Sequence, residues 1–546
     1  MMSHEHGKSD NISTESETTR TTRNFPHGSR EAPKTSTAPA ADRSAKARSH
    51  TTDMHVFGES DSSIVPQKRA NNDSVPLLTE SVEGRELTEE NAEQSLLDQT
   101  QCWKPRSRGL LGVREAAQRD RKMRFTNLLH HVCPELLRAS FFDLKKQAAP
   151  GVDGVTWSQY AAGLDARIDD LHARIQRGTY RARPSKRAWI PKLDGQRRPL
   201  GIAALEDKIV QQAVRTVLEC IYEEDFLGFS YGFRPRRSCH RALDALSVGI
   251  AHQKVNWILD ADIRGFFDNI DHAWLLKFLE HRITDRRLLR LLRKWLRAGV
   301  SEEGQWSPTK VGTPQGAVIS PLLANVFLHY VLDLWIVAWR NRHALGEVII
   351  VRYADDFVIG FREEADAKRC LAALRERLAK FGLELHPEKT RLIEFGRFAA
   401  ERRSKRGAGP PETFDFLGFT HISGKTRKGD FTIRRISASK KLSSKLRELS
   451  VTLRRKMHQD LAEVGAWLSS VYRGWCNYHA IPGNSVRLAQ FRTALQKLWL
   501  RVLRRRSQRG RRLTWAKFST LCKRWLPTPK ILHPYPDVRF SRLHPR

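Results

Sequence analysis

The sequence predicts an α+β domain, with helices packed on a central sheet, that gives way to an all-α and strongly basic domain. Three observations carry this. From about residue 106 to 425, short β-branched and aromatic runs alternate with segments of helical periodicity. From Arg434 onward the chain turns Arg-rich and helix-forming, with 27 Lys and Arg against 4 Asp and Glu, so about two-thirds of a formal net charge of +35 lies in the last 113 residues. The first 105 residues show neither pattern and are rich in Ser, Thr, Asn, Glu and Pro.

Taken in order, residues 1–105 hold too little apolar surface to offset the entropy of ordering their backbone, and read as a disordered leader of net charge −5. In "EDKIVQQAVRTVLECIYEEDF", Ile209, Val210, Ala213, Val214, Val217, Leu218 and Ile221 fall on one helical stripe, and Leu371, Leu374, Leu378 and Phe381 repeat that spacing. Between them "VNWILDADI" and "EVIIVRYADDFVIGF" have the length and side chains of strands. Residues 434–510 then read as a helical domain threaded with Trp467, Tyr472, Trp475, Tyr478, Phe491 and Trp499, and residues 511–546 as a basic C-terminal tail.

A charge excess of this size calls for a polyanionic partner, with nucleic acid ahead of an anionic membrane surface. No run approaches the roughly 18 to 20 uninterrupted apolar residues of a spanning segment, and "MMSHEHGKSDNISTES" lacks an apolar signal region. Seven scattered cysteines without a C-x-x-C pair exclude a written disulfide framework or cysteine zinc site. The expectation is a soluble, unsecreted protein of the bacterial cytoplasm or nucleoid, with no membrane partner.

Asp355 and Asp356 stand inside "VIIVRYADDFVIGF", an apolar run that otherwise reads as a buried hairpin. Carboxylates are costly to bury unless a cation compensates them. Asp262 ends a second apolar strand, so two strand ends can bring three acids together. Hard oxygen ligands of this kind suit magnesium, and two such ions clamp the attacking and leaving oxygens of a phosphoryl displacement.

"YADD" (Tyr353 to Asp356) resembles the tyrosine-x-aspartate-aspartate box of reverse transcriptases, in the Ala form of group II intron enzymes. Around it, in order, come "GVDGVTW" from Gly151, "WIPKLDGQRRPLGI" from Trp189, "YGFRPRRSCHRAL" from Tyr231, "DADIRGFFDNIDH" from Asp260, "GTPQGAVISPLLANVFLHYVLD" from Gly312, "GLELHPEKT" from Gly382 and "FDFLGF" from Phe414. "SVYRGWCNYH" from Ser470 is similar to the maturase, or thumb, domain of group II intron-encoded proteins. The resemblance implies a right-hand polymerase: fingers and palm, with an antiparallel palm sheet, over 106–425, then an all-α thumb that binds RNA.

By the same resemblance Asp262, Asp355 and Asp356 are the catalytic ligands of two magnesium ions, while Asp260 and Asp268 lie out of register and read as structural or solvated. Lys192 and Arg198 would grip the incoming triphosphate, and Phe267 would exclude a ribose 2′-hydroxyl. Gln315 and Lys389 would touch the nucleotide, and Phe416, Leu417 and Gly418 would form the primer grip. Arg473, Trp475, Tyr478, Arg504, Arg505 and Arg506 are the RNA-contact candidates, basic groups for phosphates and rings for bases. Ordinary alternatives stand beside these: a plain turn for Lys192 and Arg198, a core ring for Phe267, a surface lysine for Lys389, a bundle core for the thumb aromatics.

The implied partners are group II intron RNA, an RNA template with DNA primer, target DNA and deoxynucleoside triphosphates. The chain carries no paired-cysteine H-N-H nuclease signature, which fits the endonuclease-lacking kind, with 511–546 a candidate DNA-binding segment. The expected activity is RNA-directed DNA polymerisation with assistance to intron splicing and mobility by target-primed reverse transcription. Rival readings are a splicing chaperone with an idle polymerase and the reverse transcriptase of a retron or diversity-generating element. An RNA-dependent RNA polymerase is disfavoured by Phe267.

Overall fold

Helices come first because the early residues carry 3.6-residue stripes. In α1 (Arg108–Arg119), α2 (Pro134–Asp143) and α3 (Leu164–Arg177), the stripes Leu110/Val113/Ala117, Leu136/Leu137/Phe141 and Ile168/Leu171/Ile175 are buried. The computed structural model describes residues 108–191, 197–302, 305–308, 311–426 and 428–543. The leader expectation for 1–105 falls outside the described residues, as does Lys192.

An antiparallel hairpin of β1 (Ser185–Pro191) and β2 (Arg197–Ile202) follows, joined in one sheet by β4 (Val300–Glu302) and β5 (Gln305–Ser307). α4 (Leu205–Asp225) buries all seven predicted stripe residues from Ile209 to Ile221. α5 (Cys239–His252) starts where the Ser238 hydroxyl accepts from the Arg241 N–H, and α6 (His272–Glu280), α7 (Arg286–Arg297) and α8 (Ser320–His343) follow in the chain. The central sheet holds β3 (Trp257–Asp262), β6 (Val348–Tyr353), β7 (Asp356–Phe361) and β8 (Arg391–Glu394) in the order β6-β7-β3-β8, every pair antiparallel. Their β-branched and aromatic side chains are buried on both faces, with α5 against β6 and α9 (Glu364–Ala379) against β3 and β7, where Leu374 and Leu378 continue the predicted stripe. Among the described residues one helix, Ser320–His343, is long and apolar enough to cross a membrane, yet most of it is buried, as in the core helix of a globular domain.

A third sheet, β9 (Phe414–Phe416), β10 (Phe419–Lys425) and β11 (Phe431–Ser437), leads into the helical region. There α10 (Ser439–Arg455), α11 (Leu461–His479), α12 (Ser485–Arg506) and α13 (Trp515–Trp525) share a separate core from Leu442 to Leu526. The helical domain therefore starts at 439 rather than 434, because Arg434–Ser437 complete a strand, and it runs past 510. Residues 511–543 are no free tail: Phe518, Cys522 and Leu526 are buried in the helical core. The last helix, α14 (Pro536–Leu543), packs back on α5.

Candidate active site

Asp262 is the last residue of β3 and Asp356 the first of β7, and the ladder sets them directly opposite each other. Tyr353 pairs with Asp356 across the hairpin, leaving Ala354 and Asp355 as a two-residue turn. Such a turn matches strand twist only with a left-handed residue in it, and Ala354 takes that place at φ +57°. The three predicted acids thus meet at one open end of the sheet.

The turn rests on a buried polar network. Arg352 and Asp333 are fully buried, and Arg352 Nε donates to Asp333 Oδ1 at 2.7 Å. Arg352 Nη1 donates to Asn325 Oδ1 at 2.9 Å and to the Ala354 carbonyl at 3.0 Å, while Nη2 donates to Ser230 Oγ at 2.7 Å. Asn325 Nδ2 in turn donates to the Gly232 carbonyl at 2.7 Å. Gly232 lies so close to the turn that a Cβ there would come 2.3 Å from the Ala354 nitrogen.

Basic side chains face the acids. Lys389 Nζ donates to Asp262 Oδ2 at 2.6 Å. Burial, with Asp262 beside it, raises the Asp355 carboxyl above its usual range, and Arg198 and Lys389 oppose the rise. Asp356 is raised further by burial, then by Asp260, Asp355 and Asp262. Asp260 is not out of register: two residues before Asp262 on the same strand, it shares that face, pairs with Arg391 at 3.4 Å as a structural acid would, and is pushed up to about 6 by burial. The signal was legible in "DAD", since acids at i and i+2 of a strand share a face. Asp268 is exposed, as a solvated carboxylate should be.

Asp260, Asp262, Asp355 and Asp356, gathered at one end of the sheet, are a donor set a hard divalent cation fits. Among the described residues no three His, Cys, Asp or Glu side chains already close around a point, so solvent and substrate oxygens would complete any shell.

The "GTPQG" loop lies between β2 and the segment that follows β3. Thr313 N–H donates to the Phe267 carbonyl at 2.8 Å, and Gly201 N–H of β2 donates to the Gln315 carbonyl at 2.6 Å. Gly316 needs both its φ of +104° and its missing Cβ, which would come 2.7 Å from Leu200. Phe267 is half-buried, its ring edge-to-face with Phe266 at 5.4 Å. Arg198 is exposed on β2.

Phe416 and Phe419 pair across a second tight turn formed by Leu417 (φ +46°) and Gly418 (φ +83°). The Tyr478 hydroxyl donates to the Leu417 carbonyl at 2.8 Å. Tyr478 is only 4% exposed, so it anchors this turn to the helical domain and is not an RNA contact. Trp475 is corrected likewise: it is stacked between His479 (3.9 Å) and Phe491 (4.5 Å). Arg504 Nε donates to the Leu513 carbonyl at 2.9 Å and closes the end of α12. Arg473 and Arg506 are exposed, and Arg505 joins Arg454 and Arg501 around a groove floored by Met457, Leu498 and Val502.

Residues 190–421 match the family model described as reverse transcriptase (RNA-dependent DNA polymerase). Protein YkfC of Escherichia coli (strain K12) is 33% identical over 354 residues, covering 58% of this chain and 88% of that protein. The chain belongs to the reverse transcriptase family. Group II intron-encoded protein LtrA of Lactococcus lactis subsp. cremoris is 37% identical over 207 residues, 38% of this chain and 34% of LtrA. Nuclear intron maturase 4, mitochondrial, of Arabidopsis thaliana is 30% identical over 122 residues, 22% of this chain and 15% of that protein. The reverse transcriptase is therefore of the group II intron type, an RNA-directed DNA polymerase with the right-hand fold and a helical C-terminal region. It acts on nucleic acid, and its family uses divalent metal ions.

Proposed function

We propose that this reverse transcriptase copies RNA into DNA with two magnesium ions held by Asp262, Asp355 and Asp356, and that it binds a group II intron RNA, assists its splicing and supports its mobility by target-primed synthesis. The observation that carries the polymerase part is the direct cross-strand pairing of Asp262 with Asp356, with Asp355 at the adjoining turn. When bound, the ions would supply charge neutralisation at the attacking and leaving oxygens. The chain's own residues do the rest. Arg198, exposed on β2 with its charge felt at Asp355, would take the triphosphate of the incoming deoxynucleotide. Lys389 pairs with Asp262, and were a metal ion to hold that carboxylate, the ammonium would be released toward a substrate phosphate. Phe267 presents its ring where a 2′-hydroxyl would find no partner, and the Leu417–Gly418 turn grips the primer.

The maturase part is supported by the basic excess of the helical domain and by the similarity to LtrA and the intron maturase. Target DNA and the template–primer duplex are further partners on this reading. The test is primer extension on an RNA template with magnesium and deoxynucleotides. Wild type should give full-length DNA, while Asp355→Ala and Asp356→Ala lose at least about a hundredfold in rate yet still bind RNA. Extension by either variant at the wild-type rate would remove the acids from catalysis.

A further inference from the structure

The loop Gly228–Arg237 runs beside the catalytic hairpin, and its construction is unusual. It is held like an extra strand against β6: Tyr231 N–H donates to the Arg352 carbonyl at 2.8 Å, and Arg352 N–H to the Phe229 carbonyl at 2.9 Å. Arg234 is buried and pins it from below, donating to the Leu227 and Ser230 carbonyls at 2.7 and 2.8 Å and pairing with Glu223. Arg237 Nη1 donates to the Gly228 carbonyl at 2.6 Å. Within this rigid frame Phe233 adopts φ +58°, a conformation a bulky side chain avoids.

That strain brings no burial in return. The Phe233 ring is 42% exposed. Its ring centroid lies 6.3 Å from that of Tyr353, the residue that opens the turn carrying Asp355. An aromatic held in a sparsely populated conformation by an over-determined loop, and pointed at solvent beside a reaction centre, is a mark of function more than of folding.

We propose that Phe233 is a substrate-contacting residue whose exposed ring packs on the terminal base pair of the RNA–DNA duplex. The proposal rests on the reading of the aspartates as the catalytic centre. A primer 3′-hydroxyl that reacts at Asp355 and Asp356 must bring its own base pair against the Tyr353–Asp356 turn, and Phe233 is the exposed ring on that surface. Stacking is tolerant of base identity, so the ring positions every terminal pair alike. Gly232, pressed on Ala354, would make the ring and the acid turn move as one piece.

The experiment uses the full chain with an RNA template and a DNA primer carrying 2-aminopurine at its 3′ end, mixed without divalent metal so that only binding is read. Wild type and Phe233→Tyr should quench the fluorescence. Phe233→Ala and Phe233→Gly should abolish the quench and bind the duplex about tenfold more weakly or worse. Glycine is at home at positive φ, so a Gly variant of undiminished thermal stability separates removal of the ring from disruption of the loop. Undiminished quenching and affinity in the Ala and Gly variants would overturn the proposal. Asp355→Ala, read separately by extension with magnesium, tells a failure of this stacking from a failure of the active-site reading: extension by that variant at the wild-type rate would overturn the latter whatever the fluorescence shows.

Discussion

Arg352 carries more of the active site than any acid's own neighbours do. Its guanidinium satisfies Asp333, Asn325, Ser230 and the carbonyl of Ala354 with no access to water. Removing one partner of such a pair leaves a buried charge alone, so Arg352→Ala should lower unfolding stability by about 3–5 kcal/mol in urea titration. A decrease below about 1 kcal/mol would mean that water reaches Asp333. Asp207 offers a pH test away from the acids. It is 3% exposed, takes hydrogen bonds from the Tyr180 hydroxyl and the Arg183 N–H, and is still pushed up to about 6 by burial. Its folded pKa lies above the unfolded value of about 3.9, so its contribution to stability is complete below about pH 4 and fades as pH rises through 6. Wild type should therefore lose on the order of 2–3 kcal/mol relative to Asp207→Asn between about pH 4 and 7, read from urea midpoints. Parallel pH profiles would show that Asp207 stays ionised in the fold.

At the scale of elements, sequence periodicity specified the α4 stripe and the β6–β7 hairpin because each is decided by its own residues. The meeting of Asp262 with Asp356 was legible too, since both end apolar strands. The thumb aromatics were not. A ring at helical spacing looks the same whether it stacks on a base or on Phe491, and only tertiary neighbours tell Trp475 and Tyr478 from RNA-binding rings. Arginines divide by the same rule. Arg504 closes a helix end, whereas Arg454, Arg501 and Arg505 converge from α10 and α12 on one groove. Changing those three to Gln should flatten the salt dependence of RNA binding by about 0.7 to 0.9 log units for each phosphate no longer neutralised. Arg504→Gln should lower thermal stability with little change in that slope. Equal slopes for both variants would make the groove an ordinary solvated face.

Across the whole molecule, the palm, the β9–β11 sheet and α14 are tied at one buried point. Asp244 of α5 takes a hydrogen bond from Arg435 of β11 at 2.8 Å and pairs with Arg539 of α14 at 2.6 Å. The approach to α14 is fixed as well, by Leu532 and His533 N–H groups on the Ala480 carbonyl. Deleting residues 529–546 should leave each core folded but loosen the thumb on the palm. Fewer nucleotides should be added per binding event in a single-cycle extension with trap RNA, and unchanged product lengths would show that the two cores hold each other unaided. Nothing in the local pattern around Asp244 or Arg539 announces this tie, because its partners stand far apart in the chain and neither belongs to a periodic motif. A ribosome must add hundreds of residues beyond Asp244 before Arg539 supplies its second cation. The nascent palm waits in a half-neutralised state, so a chain cut short by a nonsense codon or a stalled ribosome is left with an open seam.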